Sequence, residues 1–308
     1  MKPSMQEYLF QEEEPNRLDK FLAGEIQGFS RAQIQTLIEN GKIWVDGVPV
    51  VKSSTKLEAG QKVRVELPET VERELLAEDL ELTVLYQDEN TVVINKPAGM
   101  IVHPGAGHET GTVVNAAMYR WPEMRQVGDP ARPGVVHRLD KETSGVLLLA
   151  RTQSAYTWYV KQFKSRKTEK IYLALVDGHP PTPSGRIETS IGRDAKHRQR
   201  MAVVFEGHGR KAVTEFHTKQ AFKDYDLLEV HPITGRTHQI RVHLAYLGCP
   251  VVGDRVYGRR KPTMELGRFF LHAARLKIFL LDEKTPMEFQ ANLPDELNLI
   301  LENLEKME

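Results

Sequence analysis

The sequence predicts an α+β protein in two parts, a small unit of about fifty residues and a large domain behind it. Three observations lead there. A length of 308 residues with 40% hydrophobic content allows one large core and one small one. Segments with helical apolar spacing are interspersed along the chain with short apolar and β-branched runs. A Glu-rich stretch at 69–80 lacks an apolar period and reads as a linker.

In chain order, residues 1–15 are polar, acidic and aperiodic, and are expected to be disordered. The small unit, 16–68, opens with Leu18, Phe21 and Leu22 at helical spacing. Ser30 is the expected N-cap of a second helix carrying Ile34, Leu37 and Ile38 on one stripe, and Asn40-Gly41 stops it. Ile43-Trp44-Val45, an Asp46-Gly47 turn and Val48-Pro49-Val50 read as a hairpin, followed by a strand from Val63 to Leu67. With Arg17-Leu18-Asp19, Ser30-Arg31 and the run from Gly41 to Gly47, this unit resembles the S4 RNA-binding domain. The resemblance implies that the second helix and the hairpin start face RNA, through Arg31 and Lys42, with Lys20 and Lys56 nearby. Residues 1–80 hold 10 Lys+Arg against 15 Asp+Glu, so the unit is expected to assist RNA binding and not to dominate it.

The large domain, 81–308, begins with Leu82–Tyr86 and Thr91–Ile94, two short strands suited to an antiparallel pair. A Pro- and Gly-punctuated loop from Asn95 to Gly105 follows, and Thr112 can cap a helix through Val113, Ala116, Ala117 and Tyr119. The apolar run Val146–Ala150 reads as a buried strand. Ala155, Trp158, Tyr159 and Gln162 have helical spacing, and Ile171–Val176 is a strand whose Tyr172 face is the one expected to border a cleft. Further strands are expected at 212–218 and 225–231. Thr237 is the expected N-cap of a helix with an Ile240, Leu244, Leu247 stripe, closed by Gly248 and Pro250, in which His238 and Arg241 share a neighbouring face. More strands and a closing helix at 296–304 complete the domain.

Chemistry concentrates in Val136-His137-Arg138-Leu139-Asp140-Lys141-Glu142-Thr143-Ser144-Gly145, directly before the buried strand. Asp140 is the candidate reactive centre, although an Asp in such a turn, taken alone, is more often a turn former. His238 and His243 lie five apart, about 140° around a helix, so they cannot chelate one metal together. Neither HExxH nor a cysteine-based pattern is present, and no metal is expected. A Ser-His-Asp hydrolase would need a GxSxG elbow, and nucleotide chemistry a Walker or GxGxxG loop; the sequence has none of these.

Net charge is zero, but 151–275 carries 23 Lys+Arg against 11 Asp+Glu, a local +12 that suits a polyanion. The lone Cys249, the missing signal pattern and the lack of a long apolar run predict a cytoplasmic protein with no membrane partner.

Four motifs occur in order: Asn95-Lys96-Pro97-Ala98-Gly99-Met100 with Val102-His103-Pro104; His137-Arg138-Leu139-Asp140 with Thr143-Ser144-Gly145; Lys170-Ile171-Tyr172; and the run from Arg236 to Leu244. Together they resemble the RluA family of RNA pseudouridine synthases, most closely its large-subunit ribosomal subgroup D. The resemblance implies a mixed, mainly antiparallel sheet with a central cleft and flanking helices. It also implies that Asp140 attacks C1′ of the ribose or abstracts its 2′ proton. Tyr172 would then pack on the target base and Arg241 pair with the aspartate. Arg138 would act as a wedge into the RNA stack, and His137, Lys96 and His238 would be further substrate contacts. The implied partner is large-subunit ribosomal RNA, acted on by a monomer, with transfer RNA as the alternative substrate. Exchanging an N1 for a C5 linkage involves no net redox or hydrolysis, so no cofactor is expected. A non-catalytic RNA-binding assembly factor is the rival reading.

Overall fold

The computed structural model describes residues 4–26, 29, 31–67, 75–105, 107–195, 197 and 200–305. The chain divides into two compact units, Met1–Glu74 and Leu75–Glu308.

In the first unit, β1 (Ser4–Leu9), β2 (Asn16–Arg17), α1 (Leu18–Glu25), α2 (Arg31–Glu39), β3 (Ile43–Val45), β4 (Val48–Pro49), β5 (Lys56–Leu57) and β6 (Lys62–Leu67) follow in order. The sheet runs β1-β6-β3-β4, and β2 pairs with β5. The apolar faces of both helices, with Leu18, Leu22, Ile34 and Ile38, close over Ile43, Val63 and Val65 on the strands. Asp46 and Gly47 both have positive φ, 49° and 83°, the conformation that a tight hairpin of right-handed twist requires. Ser30, the expected cap, lies outside the described residues.

The N-terminal segment corrects the expectation of disorder. Ser4–Leu9 pairs antiparallel along the whole of β6, from Ser4 opposite Leu67 to Leu9 opposite Lys62. A sheet edge offers unpaired N–H and C=O groups, and a polar strand satisfies them by backbone bonds without needing apolar side chains. Hydropathy therefore carried little signal for this strand, from which the half-buried Tyr8 and, just behind it, the buried Phe10 pack on the core.

The second unit contains β7 (Thr83–Gln87), β8 (Thr91–Lys96), α3 (Val113–Arg120), β9 (Ser144–Ala150), α4 (Gln153–Ser165), β10 (Glu169–Asp177), β11 (Ser184–Arg193), β12 (Met201–Val204), β13 (Arg210–Ala221), β14 (Tyr225–Pro232), α5 (Gln239–Tyr246), β15 (Leu271–Ile278), β16 (Met287–Gln290) and α6 (Asp295–Asn303). Its sheet runs β12-β11-β13-β14-β10-β15-β9-β8-β7, with β16 also on β15. The pairings are antiparallel except for β9 against β15. The large unit is thus a mixed, mainly antiparallel sheet with helices on its faces. Strand β9 is buried throughout: Leu147 and Leu149 join the α3 core, and Val146, Leu148 and Ala150 the α4 core. Burial on both faces explains why its sequence runs apolar instead of alternating.

The expected linker is also shorter than its composition suggested. Residues 68–74 lie outside the described set, but 75–80 belong to the large unit. Leu75 and Leu80 pack on the α3 core, and Asn115 Nδ2 donates to Leu76 O at 2.7 Å. Glu78 accepts from Gly111 N at 2.7 Å.

The parallel contact joins two half-sheets through two residue pairs, Ser144 with His272 and Gly145 with Ala273. Gly145 has φ +112°, and a Cβ there would lie 2.2 Å from Ala273 O. Beside it, His272 Nε2 donates to Ala291 O, so its Nδ1 accepts from the Ser144 hydroxyl at 2.8 Å, and Ser144 Oγ accepts from Arg268 Nη2 at 2.9 Å. Ser144 and Gly145, at the end of the 136–145 stretch, thereby fix the seam, and the turn bearing Asp140 hangs from it. Among the described residues no helix is long and apolar enough to cross a membrane.

Candidate active site

The turn at Asp140, strand β10 and the start of α5 surround a cavity of about 580 Å³ whose walls include Arg138, Asp140, Tyr172, Arg236, His238 and Arg241. Three segments far apart in sequence thus meet at one opening. The turn is closed by Thr143 N donating to Asp140 O at 3.1 Å. It is propped from outside by the 95–105 loop, where Gly99 N donates to Lys141 O at 2.9 Å.

Arg241 sits in the first turn of α5. Its Nη1 donates to Asp140 Oδ2 at 3.0 Å, while Nε and Nη2 fork onto Asp254 at 2.7 and 3.0 Å. The guanidinium carbon lies 4.2 Å from the centre of the Phe269 ring and 5.0 Å from that of Tyr257. Burial acts to lower the pKa of Arg241, but the hydrogen bonds and charges of Asp254 and Asp140 outweigh it and raise the value. Asp254 is the converse: its burial is outweighed by Arg241, by Tyr257 N and by Val256 N, and its pKa falls. With Asp254 fully buried and Arg241 5% exposed, the fork fixes the guanidinium and aims its remaining nitrogen at Asp140. Asp140, 18% exposed, keeps an edge open to the cavity.

Tyr172 projects from the expected face of β10 and packs between the α3 and α5 cores, while Leu173 and Leu175 turn to the other side of the sheet. Burial, and then the charge of Asp140, push its pKa well above the ordinary phenol value, so the hydroxyl keeps its proton at neutral pH.

The helix bearing Arg241 starts differently from expectation. Thr237 is not its cap: the N-cap position is His238, with φ +56° and no side-chain cap bond. Gln239 organises the preceding loop instead. Its Oε1 accepts from Thr234 Oγ1 at 2.6 Å and Arg236 N at 3.0 Å, and its Nε2 donates to Val213 O and Thr214 Oγ1, both at 2.9 Å. All four of its bonding positions are used, which pins the loop to β13. His238 faces the cavity, with Nδ1 2.8 Å from the Tyr257 hydroxyl.

Other expected residues divide. Arg138 is exposed at the cavity and has no ion pair or hydrogen bond among the described residues. His137 lines the cavity but is held: Nε2 accepts from Leu148 N at 2.9 Å and the ring stacks on Phe163. Burial, then Lys170, push its pKa to about 3, so it is neutral. Lys96 departs from expectation. It is 0% exposed, and its Nζ donates to Pro97 O and Met100 O at 2.7 Å and to Lys141 O at 3.1 Å. Burial pushes its pKa to about 7, while three carbonyls receive its three hydrogens. A lysine so enclosed clamps two loops and cannot reach RNA. In the small unit, Arg31 is half-exposed but bonded to Asp19, and Lys42 donates to Glu66 Oε1 at 2.6 Å.

Two histidines, His137 and His238, line the cavity, each already engaged. His243 is buried between Thr189 and Thr214 hydroxyls, at 2.9 and 2.8 Å. Among the described residues, the grouping with closely spaced metal-ligand atoms is His217, Glu229 and His231, outside the cavity, where Glu229 is already paired with Arg275 and Lys219.

Sequence reading missed Asp254, Phe269 and Gln239. Asp254 follows Val251-Val252-Gly253 in what looks like an ordinary turn, and nothing local ties it to an arginine thirteen positions earlier.

Comparison with known proteins identifies this arrangement. The RNA pseudouridylate synthase family profile matches residues 90–246, which span the Asp140 turn, β10 and α5, and the S4 domain profile matches 16–63. The chain belongs to the RNA pseudouridylate synthase family. An uncharacterized RNA pseudouridine synthase of Chloroflexus aurantiacus is 47% identical over 289 residues, covering 94% of this chain and 90% of that protein. The ribosomal large subunit pseudouridine synthase D of Zymomonas mobilis is 36% identical over 297 residues, covering 94% and 93%. The solved structure of human RNA pseudouridylate synthase domain containing 4 superposes with a TM-score of 0.56 at 28% identity, covering 73% of this chain and 95% of that one. The protein is therefore an RNA pseudouridine synthase carrying an S4 domain.

Proposed function

We propose that this enzyme converts uridine to pseudouridine in large-subunit ribosomal RNA in the cytoplasm, with Asp140 as the reactive carboxylate. The observation that carries the reading is the 3.0 Å bond from Arg241 to Asp140, aimed by the Asp254 fork, at a cavity walled by Tyr172. The large-subunit target is supported by relatives that bear that name at 36–37% identity over nearly the whole chain.

Isomerisation breaks C1′–N1, forms C1′–C5, removes the C5 proton and protonates N1. Whether Asp140 takes C1′ or the 2′ proton, it acts through a carboxylate oxygen, and the bond from Arg241 orients that carboxylate at the cavity. Tyr172, kept protonated, offers a flat ring for the uracil and an O–H close to its proton exchanges. The uridine must leave its stack to enter, at a cost of a few kcal/mol, which stacking in the pocket and Arg138 filling the gap offset. The S4 unit adds RNA contacts of its own, with Arg31 and Lys42 as modest contributors because both already face carboxylates.

Tritium release from C5-labelled uracil tests the reading. Large-subunit ribosomal RNA should release tritium with the native enzyme and not with Asp140→Asn. Release only from transfer RNA would overturn the target, and undiminished release by the variant would overturn the role of Asp140.

A further inference from the structure

A second cavity, of about 800 Å³, is lined by Arg200, Arg255, Arg259 and Arg260, with Asp177 and Asp254 among the remaining wall residues. All four arginines are exposed, and none of their guanidiniums forms an ion pair or hydrogen bond among the described residues. Several other exposed cations of this unit are neutralised from within: Arg186 by Glu215 and Glu188, Lys211 by Glu188, Arg132 by Asp129. Four unpaired guanidiniums face three carboxylates in this concavity, Asp177, Glu265 and an Asp254 already forked by Arg241, and the excess of positive charge attracts an anion whose phosphate oxygens suit the planar guanidinium.

The 254–258 turn, which bears Arg255 and leads into Arg259 and Arg260, is closed by its own hydrogen bonds and touches residues that line the first cavity. Asp254 Oδ1 accepts from Val256 N at 2.8 Å and Tyr257 N at 3.0 Å, and Gly258 N donates to Asp254 O at 2.8 Å. A Cβ at Gly258 would lie 2.1 Å from Asp254 O, so the turn cannot open around a larger residue. The Asp254 carboxylate faces Arg241 of the first cavity while the same residue lines the second. The Tyr257 hydroxyl accepts from Met201 N at 2.9 Å and meets His238 of the first cavity.

We infer that the second cavity is a phosphate-binding subsite for the RNA strand that flanks the target uridine, with Arg255, Arg259 and Arg260 as its phosphate contacts. The inference rests on the target uridine entering the first cavity. A strand delivering its base there carries its neighbouring phosphates over the Asp254–Tyr257 wall. The hydrogen-bonded turn sets the backbone position of Arg255 before RNA arrives, so binding orders side chains and not the turn itself.

The test is the salt dependence of binding, measured on the full chain with poly(uridylic acid) as the probe. Each phosphate neutralised on a single strand contributes about 0.7 to the slope of log K against log salt. The R255A/R259A/R260A variant should lower that slope by about 2, and affinity at 0.15 M salt by roughly tenfold or more. Arg186→Ala, which removes an already neutralised cation, should leave the slope unchanged. An unchanged slope in the triple variant, or an equal fall in the Arg186 control, would overturn the subsite. Should the triple variant fail to fold, R255Q, R259Q and R260Q singly should each lower the slope by about 0.7, and three unchanged slopes would be equally fatal. Tritium release from ribosomal RNA by the native enzyme reports on the first cavity separately. Release with an unchanged slope in the variants sinks the subsite alone; a lowered slope without release sinks the target assignment alone.

Discussion

Two aspartates in this chain meet arginines, with opposite results. In the small unit Asp19 is fully buried and receives five hydrogen bonds, two from Arg17, two from Arg31 and one from Gln35 at 2.7 Å. In the large unit Asp140 takes one bond from Arg241, whose other nitrogens are committed to Asp254. The arginines on Asp19 are half-exposed and the carboxylate is hidden; at the cavity the arginine is hidden and the carboxylate reaches the opening. The same residue types thus build a saturated joint between α1 and α2 in one place and an unsaturated, oriented anion in the other. Saturation and the direction of exposure separate structure from chemistry here, and neither is a property of residue identity.

The contrast can be broken most severely at Asp140. Asp140→Asn should lower tritium release by about 10³-fold or more while thermal unfolding changes little, because Arg241 keeps its fork on Asp254. Asp254→Asn strikes the buried partner. It should cost about 3–5 kcal/mol of large-unit stability in urea unfolding and, by letting Arg241 swing, about 10²-fold in turnover, with a smaller loss of RNA affinity because the same carboxylate holds the turn that bears Arg255. Equal losses in turnover and affinity would mean that Arg241 contacts phosphate instead of serving Asp140. Gly145→Ala leaves every charge in place but moves the seam from which the Asp140 turn hangs. Its contact with Ala273 O and its strained φ should cost about 2 kcal/mol, and roughly tenfold in rate if orientation matters as argued.

The smallest effect belongs to Asp19. The Arg17 hydrogen bonds, helped by Gln35 and Arg31, overcome its burial and hold its carboxyl far below the usual carboxylate range. Because the folded-state pKa is depressed, the stabilisation is complete above the unfolded value of about 3.9 and is lost as pH falls through and below it. The urea midpoint of the small unit should therefore drop on acidification below about pH 4 more steeply in the native chain than in Asp19→Asn, with tritium release at neutral pH nearly equal in both.

Much of the large unit was legible because its cues are local. Thr112 caps α3 in a capping box with Asn115, the helical spacing of Ala155, Trp158, Tyr159 and Gln162 falls on α4, and the apolar run after Gly145 is the central strand. Alternation along β10 named the face of Tyr172 correctly. Misreadings came where backbone bonding or burial took over from pattern. Strand β1 has no apolar alternation to reveal it, Lys96 looked like an RNA contact but spends its ammonium on three carbonyls, and the α5 helix begins with a left-handed His238 where Thr237 resembled a cap.

By itself the sequence determined which side chains were chemically able to act: a carboxylate in a turn before a buried strand, a tyrosine on a strand face, an arginine on a short helix, and a cationic segment for RNA. Their places follow from periodicity, turn chemistry and charge, all of which are read within a few residues, and their roles from the motifs that resemble the RluA family. Only the tertiary structure decided which aspartate stays open, which arginine is aimed and by what. Those properties depend on contacts such as Arg241 with Asp140 and Gly145 with Ala273, which join segments more than a hundred residues apart and leave no local trace.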